Sequence, residues 1–328
     1  MKMKKLKTVL ALSGLLLAST SWADAPAQVK QQVPGYYRLA VGEYEVTALF
    51  DGYNDLSPAL LHGLSGDKVR ELLAQHKIDA ERMPTAFNAF LVNTGKHLVM
   101  IDSGGGHCMA ETAGQLVSNM NASGYRPEQV DTIFLTHLHL DHVCGLSDAE
   151  GKALFPNATV YVPQGEADYW LDPAKEASAP ANAREYFAIA RHALSAYKAA
   201  GHLKTFVPPA SPVPEVQTAY AIGHTPGSTV YRFASQGTAI NFIGDLIHAP
   251  AVQFPHPEVS IRFDVDPKKA ISSRAQEFNA LAKDGEWMAA AHLPFPGIGH
   301  ITAWQQGYSW NPVNYGPYQR AANVPLLK

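Results

Sequence analysis

Thr136-His137-Leu138-His139-Leu140-Asp141-His142-Val143-Cys144-Gly145 contains the pattern H-x-H-x-D-H, three histidines and an aspartate within six residues. It follows Thr132-Ile133-Phe134-Leu135, an apolar run that reads as a buried strand. In an extended backbone residues two apart point the same way, so His137 and His139 can grip one cation together. A turn into helix straight afterwards brings Asp141 and His142 round to face a second cation. Imidazole and carboxylate are ligands that Zn²⁺ favours.

Further candidates follow downstream. His224 lies in Gly223-His224-Thr225-Pro226-Gly227, after Tyr220-Ala221-Ile222. Asp245 closes Phe242-Ile243-Gly244-Asp245, and His292 follows Trp287-Met288-Ala289-Ala290-Ala291. Each ends an apolar, strand-like segment, and open layered folds place their sites beyond strand ends. Singly, a histidine or aspartate there reads as a structural hydrogen-bonder. Together the seven side chains make a ligand set for two metals.

This ordered set resembles the metallo-β-lactamase superfamily with a dinuclear zinc site. The resemblance implies an α/β (α+β) fold, the αββα sandwich of two mixed sheets flanked by helices. It implies that His137, His139 and His224 hold one Zn²⁺, that Asp141, His142 and His292 hold the other, and that Asp245 bridges them. Mn, Co or Fe are alternative metals. Pro34-Gly35-Tyr36-Tyr37-Arg38, Phe155-Pro156-Asn157-Ala158, Glu166-Ala167-Asp168-Tyr169-Trp170, Ala251-Val252-Gln253-Phe254 and Phe295-Pro296-Gly297-Ile298-Gly299-His300 look like methyl parathion hydrolase and its relatives. Those relatives include organophosphate hydrolases, arylesterases and quorum-quenching lactonases. The likeness is weakest between Asp51 and Thr85.

Secondary roles follow from the same resemblance. Asp102, before the glycines Gly104-Gly105-Gly106, matches a residue that orients a ligand histidine. That loop lacks the Walker lysine, so close backbone packing is its reading rather than phosphate binding. Asp141 matches a residue that passes a proton to the leaving alkoxide. His248 stands three residues after Asp245, where related lactonases carry a substrate-binding tyrosine. It reads either as a donor to substrate or as a loop histidine turned to solvent. His300 is expected as a hydrogen-bonder rather than a ligand, either behind the metal site or in a structural place. His107 reads as packing or solvation, with contact to substrate the other reading. Trp170 matches an aromatic at the pocket entrance of the organophosphate hydrolases and Phe187 reads as a second wall, with helix packing the other reading for both. Met109 replaces a phenylalanine of the organophosphate hydrolases.

Residues 1–23 have the three parts of an export signal: Lys2, Lys4, Lys5 and Lys7, an apolar stretch from Val9 to Ala18, then Ser21-Trp22-Ala23. Cleavage after Ala23 leaves one domain, residues 24–328, in the periplasm or outside the cell. Losing four lysines and no acids moves the formal charge from −3 to about −7. That acidity argues against nucleic acid and anionic membrane as partners, and leaves a small molecule as the partner and a homodimer open. The two cysteines, Cys108 and Cys144, both lie in loops near the proposed metals and can pair in an oxidising compartment.

Apolar patterning predicts a hairpin over Tyr37 to Phe50 and a helix over Asp67 to His76. It predicts strands at Phe87 to Val92, His97 to Ile101, Val216 to Ile222, Thr229 to Phe233 and Ala239 to Ile243. Helices are expected over Met109 to Ser123, Asn182 to Ala200 and Pro267 to Ala282, the last capped by Asp266. Phe295 to Tyr318 reads as a packed irregular tail.

A zinc pair lowers the pKa of a shared water to near neutrality, supplying hydroxide to attack an ester, lactone or phosphotriester. The expected enzyme is therefore a secreted dinuclear-zinc hydrolase of lactones, N-acyl-homoserine lactones foremost, and activated esters. Phosphotriesters would be side substrates. An organophosphate hydrolase or arylesterase is the rival within this chemistry. A β-lactamase lacks a carboxylate at the Asp245 position, and a non-catalytic metal protein would not fill all seven places. No G-x-S-x-G occurs, so a serine hydrolase has no support.

Overall fold

A computed structural model describes residues 25–109 and 111–318. The export signal expected over residues 1–23 lies outside the described residues. Residues 25–33 form a separate unit with no helix or strand. Among the described residues, regular structure begins at Tyr36.

Two large sheets make the framework. The first has seven strands in the spatial order Tyr36–Val41, Tyr44–Leu56, Met83–Asn93, Leu98–Ile101, Thr132–Phe134, Thr159–Pro163, Leu203–Phe206. Its first four strands are antiparallel and its last four parallel. The second has six strands, in the order Gly307–Pro312, Ile298–Trp304, Trp287–Ala289, Thr238–Phe242, Thr229–Ser235, Val216–Tyr220. One parallel pair, Thr238–Phe242 with Trp287–Ala289, lies at its centre.

Strand alternation explains the layering. Phe90 and Val92 join Phe134, Tyr231, Phe233 and Phe242 in the core between the sheets. Their neighbours Ala89 and Leu91 face the other way, onto Leu116, Met120, Phe187 and Leu194 of helices outside the first sheet. Helix Pro267–Asp284 covers the second sheet through Phe278 and Leu281. A strand buried on both faces has to be apolar at nearly every position, which is how Phe87 to Val92 reads. This is the mixed α/β sandwich expected from the resemblance.

Helix Pro267–Asp284 starts as predicted, with the Asp266 side chain accepting from Lys269 N at 3.1 Å and proline in its first turn. It runs two residues past the predicted end and stops at Gly285, in the left-handed region at φ +67°. The hairpin, strands and other helices lie where expected within a few residues.

Two expectations need correction. No helix spans Met109 to Ser123. A short 3₁₀ turn, Gly106–Met109, is followed by a helix only over Leu116–Ala122. The cause is Asp51, a buried carboxylate whose oxygens accept from the backbone N–H of Gly105, Gly106, Gly114 and Leu116 at 2.9–3.1 Å. Those N–H groups bind a side chain instead of helical carbonyls, and Gly114 turns the chain at φ +91°.

The tail is not irregular. Ile298–Trp304 and Gly307–Pro312 pair antiparallel and extend the second sheet. Glycine weakens a strand signal in sequence but serves close approach here. A Cβ on Gly299 would collide with the Trp310 ring and the Asn311 carbonyl across the ladder.

Candidate metal centre

Every candidate ligand sits just past a strand end at one edge of the sandwich. Thr132–Phe134 leads into Thr136–His139, and the chain turns at His139 into the short helix Leu140–Val143. His139 itself is extended, at φ −69° and ψ 156°, so His137 and His139 project together while Asp141 and His142 swing round. The rings of His137 and His139 are 4.6 Å apart. Tyr231 Oη donates to the Leu135 carbonyl at 2.5 Å and Thr229 N to the Thr136 carbonyl at 3.1 Å, fixing this stretch to the second sheet. Asp245 and His292 follow the two central parallel strands of that sheet, and His224 follows Val216–Tyr220.

The donor atoms fall into two groups. His137, His139, His224 and Asp245 form one; Asp141, His142, Asp245 and His292 form the other. Within each, the ligand atoms lie within 4.8 Å of one another, and Asp245 belongs to both. Asp245 Oδ2 lies 3.2 Å from His224 Nε2 and 3.1 Å from His292 Nε2, while Oδ1 lies 3.0 Å from His142 Nε2. This is the division drawn from the resemblance.

Outer contacts aim the rings. His142 Nδ1 donates to Asp102 Oδ2 at 2.9 Å, His224 Nδ1 to Asp264 Oδ1 at 2.9 Å, and His292 Nδ1 to the Ala86 carbonyl at 2.9 Å. A histidine that donates from Nδ1 keeps the Nε2 lone pair for a ligand. Asp102 also accepts from Thr136 N at 2.7 Å and Thr136 Oγ1 at 2.8 Å, and that hydroxyl lies 3.0 Å from His137 Nδ1, so one carboxylate orients His142 directly and His137 through Thr136.

The donor set fits a metal on its own geometry. His137 Nε2, His142 Nε2 and Asp245 Oδ1 are buried with no aligned hydrogen-bond partner among the described residues. An unpaired buried polar atom costs about 1–3 kcal/mol, a cost that ligation to a cation removes. Burial, with His142 and His224 nearby, holds His137 and His139 well below the usual imidazole range. Burial would lower His142 too, but Asp245, Asp102 and Asp141 carry it well above that range. His224 is pushed up to about 9: burial opposes the rise, and Asp245 and Asp264 overcome it. Asp245 stays well below the carboxylate range despite its burial, because His142, His292 and His137 surround it. Protons and a divalent cation compete for these lone pairs, so metal uptake should release protons.

The centre floors a cavity of about 630 Å³. His139, Asp141, Asp245, His248 and His292 lie at its floor, and Phe87, Met109, Trp170, Phe187 and Phe263 among its apolar walls. Trp170 packs edge-on to His139 at 5.2 Å and against Phe187 at 4.7 Å, so each aromatic serves both helix packing and cavity wall. His248 is not turned to solvent. It is 3 % exposed, with Nε2 3.1 Å from Asp245 Oδ2.

Two histidines stand elsewhere. His300 lies over Trp287 at 3.8 Å and donates to the Glu286 carbonyl, touching none of the ligands. Of its two expected places the one behind the metals is corrected and the structural one holds: strand pairing sets it beside Trp287, at the far end of the strand that leads to His292. His107 contacts the Ser147 carbonyl and stays outside the cavity lining. Cys108 and Cys144 are joined as a disulfide, linking the glycine-rich loop to the turn after His142.

Sequence reading assigned no role to Glu166, Asp264 or Asp51. Glu166 is fully buried and accepts from Leu138 N at 2.9 Å and Gly227 N at 2.7 Å. It thus ties the H-x-H loop to the His224 loop. Gly227 is required there, since a Cβ would strike the Glu166 backbone nitrogen. An acid inside the apolar strand Tyr44–Leu56 was a signal for Asp51. Glu166 and Asp264 lie in ordinary local contexts, and their partners are distant in sequence.

Residues 84–292, well over half of the chain, match the family described as the metallo-beta-lactamase superfamily. Among solved structures, the hydrolase AbOPH of the beta-lactamase superfamily is 43% identical, with a TM-score of 0.84 over 88% of this chain and 100% of that one. AidC, a dizinc quorum-quenching lactonase in complex with the product N-hexanoyl-L-homoserine, is 26% identical, with a TM-score of 0.79 over 86% and 99%. An N-acyl homoserine lactone hydrolase with its product at the catalytic metal centre shares the fold at 17% identity, with a TM-score of 0.57 over 79% and 100%. No curated protein sequence matches the chain. With its family model matched and its ligand side chains gathered at one strand edge, the chain belongs to the metallo-β-lactamase superfamily and is a metal-dependent hydrolase.

Proposed function

We propose that the protein is an exported dinuclear-zinc hydrolase of lactones, N-acyl-homoserine lactones foremost, and of activated esters, with phosphotriesters as side substrates. The observation that carries this reading is an apolar-walled cavity ending on two ligand groups that share Asp245. The likeness to AidC supports lactones in particular. Export is read from the leader, with Asp24 as the mature N-terminus.

His137, His139 and His224 would hold one zinc and Asp141, His142 and His292 the other, with Asp245 common to both. When bound, the pair supplies a water nucleophile at neutral pH and polarises the acyl oxygen. Asp141, which lines the cavity 3.4 Å from His292 Nε2, would hand a proton to the leaving alkoxide. The aromatic walls exclude water and hold an acyl chain or aryl group. His248 lines the cavity with its Nε2 3.1 Å from Asp245 Oδ2, and with that oxygen given over to the metals the ring would donate to the substrate oxygen.

The test is a panel of initial rates for the zinc-loaded mature protein on lactones, aryl esters, phosphotriesters and β-lactams, with metal content measured in parallel. Lactones should turn over fastest with two zinc ions per chain. Faster cleavage of a methyl phosphotriester would instead make it an organophosphate hydrolase. His248→Ala should lower lactone turnover by about tenfold with metal content unchanged. Unaltered rates would reduce His248 to a packing residue.

A further inference from the structure

Resting on the lactonase and esterase reading, we propose that Arg262 at the cavity lip is a specificity determinant that pairs with a carboxylate at the far end of the substrate's acyl chain. Arg262 is the one lysine or arginine among the described residues lining the cavity. Its side chain is exposed and forms no salt bridge among the described residues, unlike Arg82 with Asp55, Arg191 with Glu176 and Arg232 with Glu286. The other charged lining groups are already engaged by histidines: Asp264 by His224, and Asp245 and Asp141 by the ligand cluster. The lip therefore offers an unpaired guanidinium above an apolar wall.

The backbone under Arg262 is fixed rather than mobile. Its own N–H donates to the Leu60 carbonyl at 2.8 Å, and Ile261 pairs with Leu61 in a two-stranded ladder. Ile261 N also donates to Asp264 Oδ2 at 3.0 Å, and Val265 N to the His224 carbonyl at 3.0 Å. The lip segment is thus bonded to the loop of a metal ligand, which fixes the backbone of Arg262 relative to the reacting centre and leaves only the reach of its side chain variable. A cation tethered to a fixed backbone point selects charge, and selects chain length within the span of one arginine side chain. Guanidinium binds carboxylate through two parallel N–H bonds, a geometry an ammonium does not match.

The experiment compares homoserine lactones whose acyl chains end in a carboxylate or a methyl group, over a series of chain lengths, on the zinc-loaded wild type and on Arg262→Gln. In the wild type, kcat/KM should favour the carboxylated member by about threefold or more at one optimal length, through KM, and the preference should shrink in 0.5 M salt, where exposed charges are screened to about 4–5 Å. Arg262→Gln should erase the preference and leave rates on methyl-ended lactones intact, and Arg262→Lys should restore only part of it. Equal ratios in wild type and Arg262→Gln, or a preference independent of chain length, would overturn the proposal. Methyl-ended lactones report on the lactonase reading by themselves: no turnover of either series would sink that reading, while turnover without discrimination sinks only the role of Arg262.

Discussion

Asp245→Ala is expected to abolish turnover, by about a thousandfold or more, and to leave the protein unable to retain two metal ions. Asp245 is the one side chain common to both ligand groups, and its two oxygens face different histidines. Removing it takes a negative charge from among His137, His142, His224, His248 and His292, whose nearest nitrogens lie 3.0–3.5 Å away. Two cations placed side by side in such a setting repel each other with nothing between them. Metal analysis after gel filtration, with lactone kinetics on the same sample, measures both effects. Asp245→Asn separates charge from shape: it keeps an oxygen in place but loses the anion, and should retain at most one metal. Two tightly held ions and full turnover in the alanine variant would contradict the bridging role.

Glu166→Ala should destabilise the fold by about 3–5 kcal/mol and weaken the His137–His139–His224 site by about 10–100-fold. Glu166 is buried and accepts from Leu138 N and Gly227 N, one on each of the loops that carry these histidines. Deleting the carboxylate leaves two buried N–H groups unpaired and unfastens one loop from the other. Urea unfolding and competition with a zinc chelator would read stability and affinity separately. Glu166→Gln keeps the shape but sets an amide NH₂ against a donor, so a smaller loss is expected. If the alanine variant matched the wild type in both measurements, the tether would be irrelevant to the metal site.

Much of the site could be read directly because its information is local. His137, His139, Asp141 and His142 lie within six residues, and strand periodicity followed by a turn dictates which way each points. His224, Asp245 and His292 were legible for a related reason, since each ends an apolar run and strand ends converge at one edge of a layered sheet. Other features carried no local mark. Met109 to Ser123 has helical periodicity, yet Asp51, more than fifty residues earlier, takes the N–H groups that a helix would need. The tail looked irregular because its glycines suppress a strand signal that pairing across the ladder supplies. His300 shares a motif with the family, but register alone placed it against Trp287.

By itself the sequence determined the ligand types, their order and the apolar strands that deliver them, because side-chain chemistry and backbone period are properties of short segments. Tertiary structure decided which histidine faces which oxygen, that Cys108 reaches Cys144, that Glu166 and Asp264 brace the ligand loops, and that Arg262 is, among the described residues, the one lysine or arginine lining the cavity. Those outcomes depend on contacts between residues tens of positions apart. The distances come from how the two sheets pack, and no local pattern encodes them.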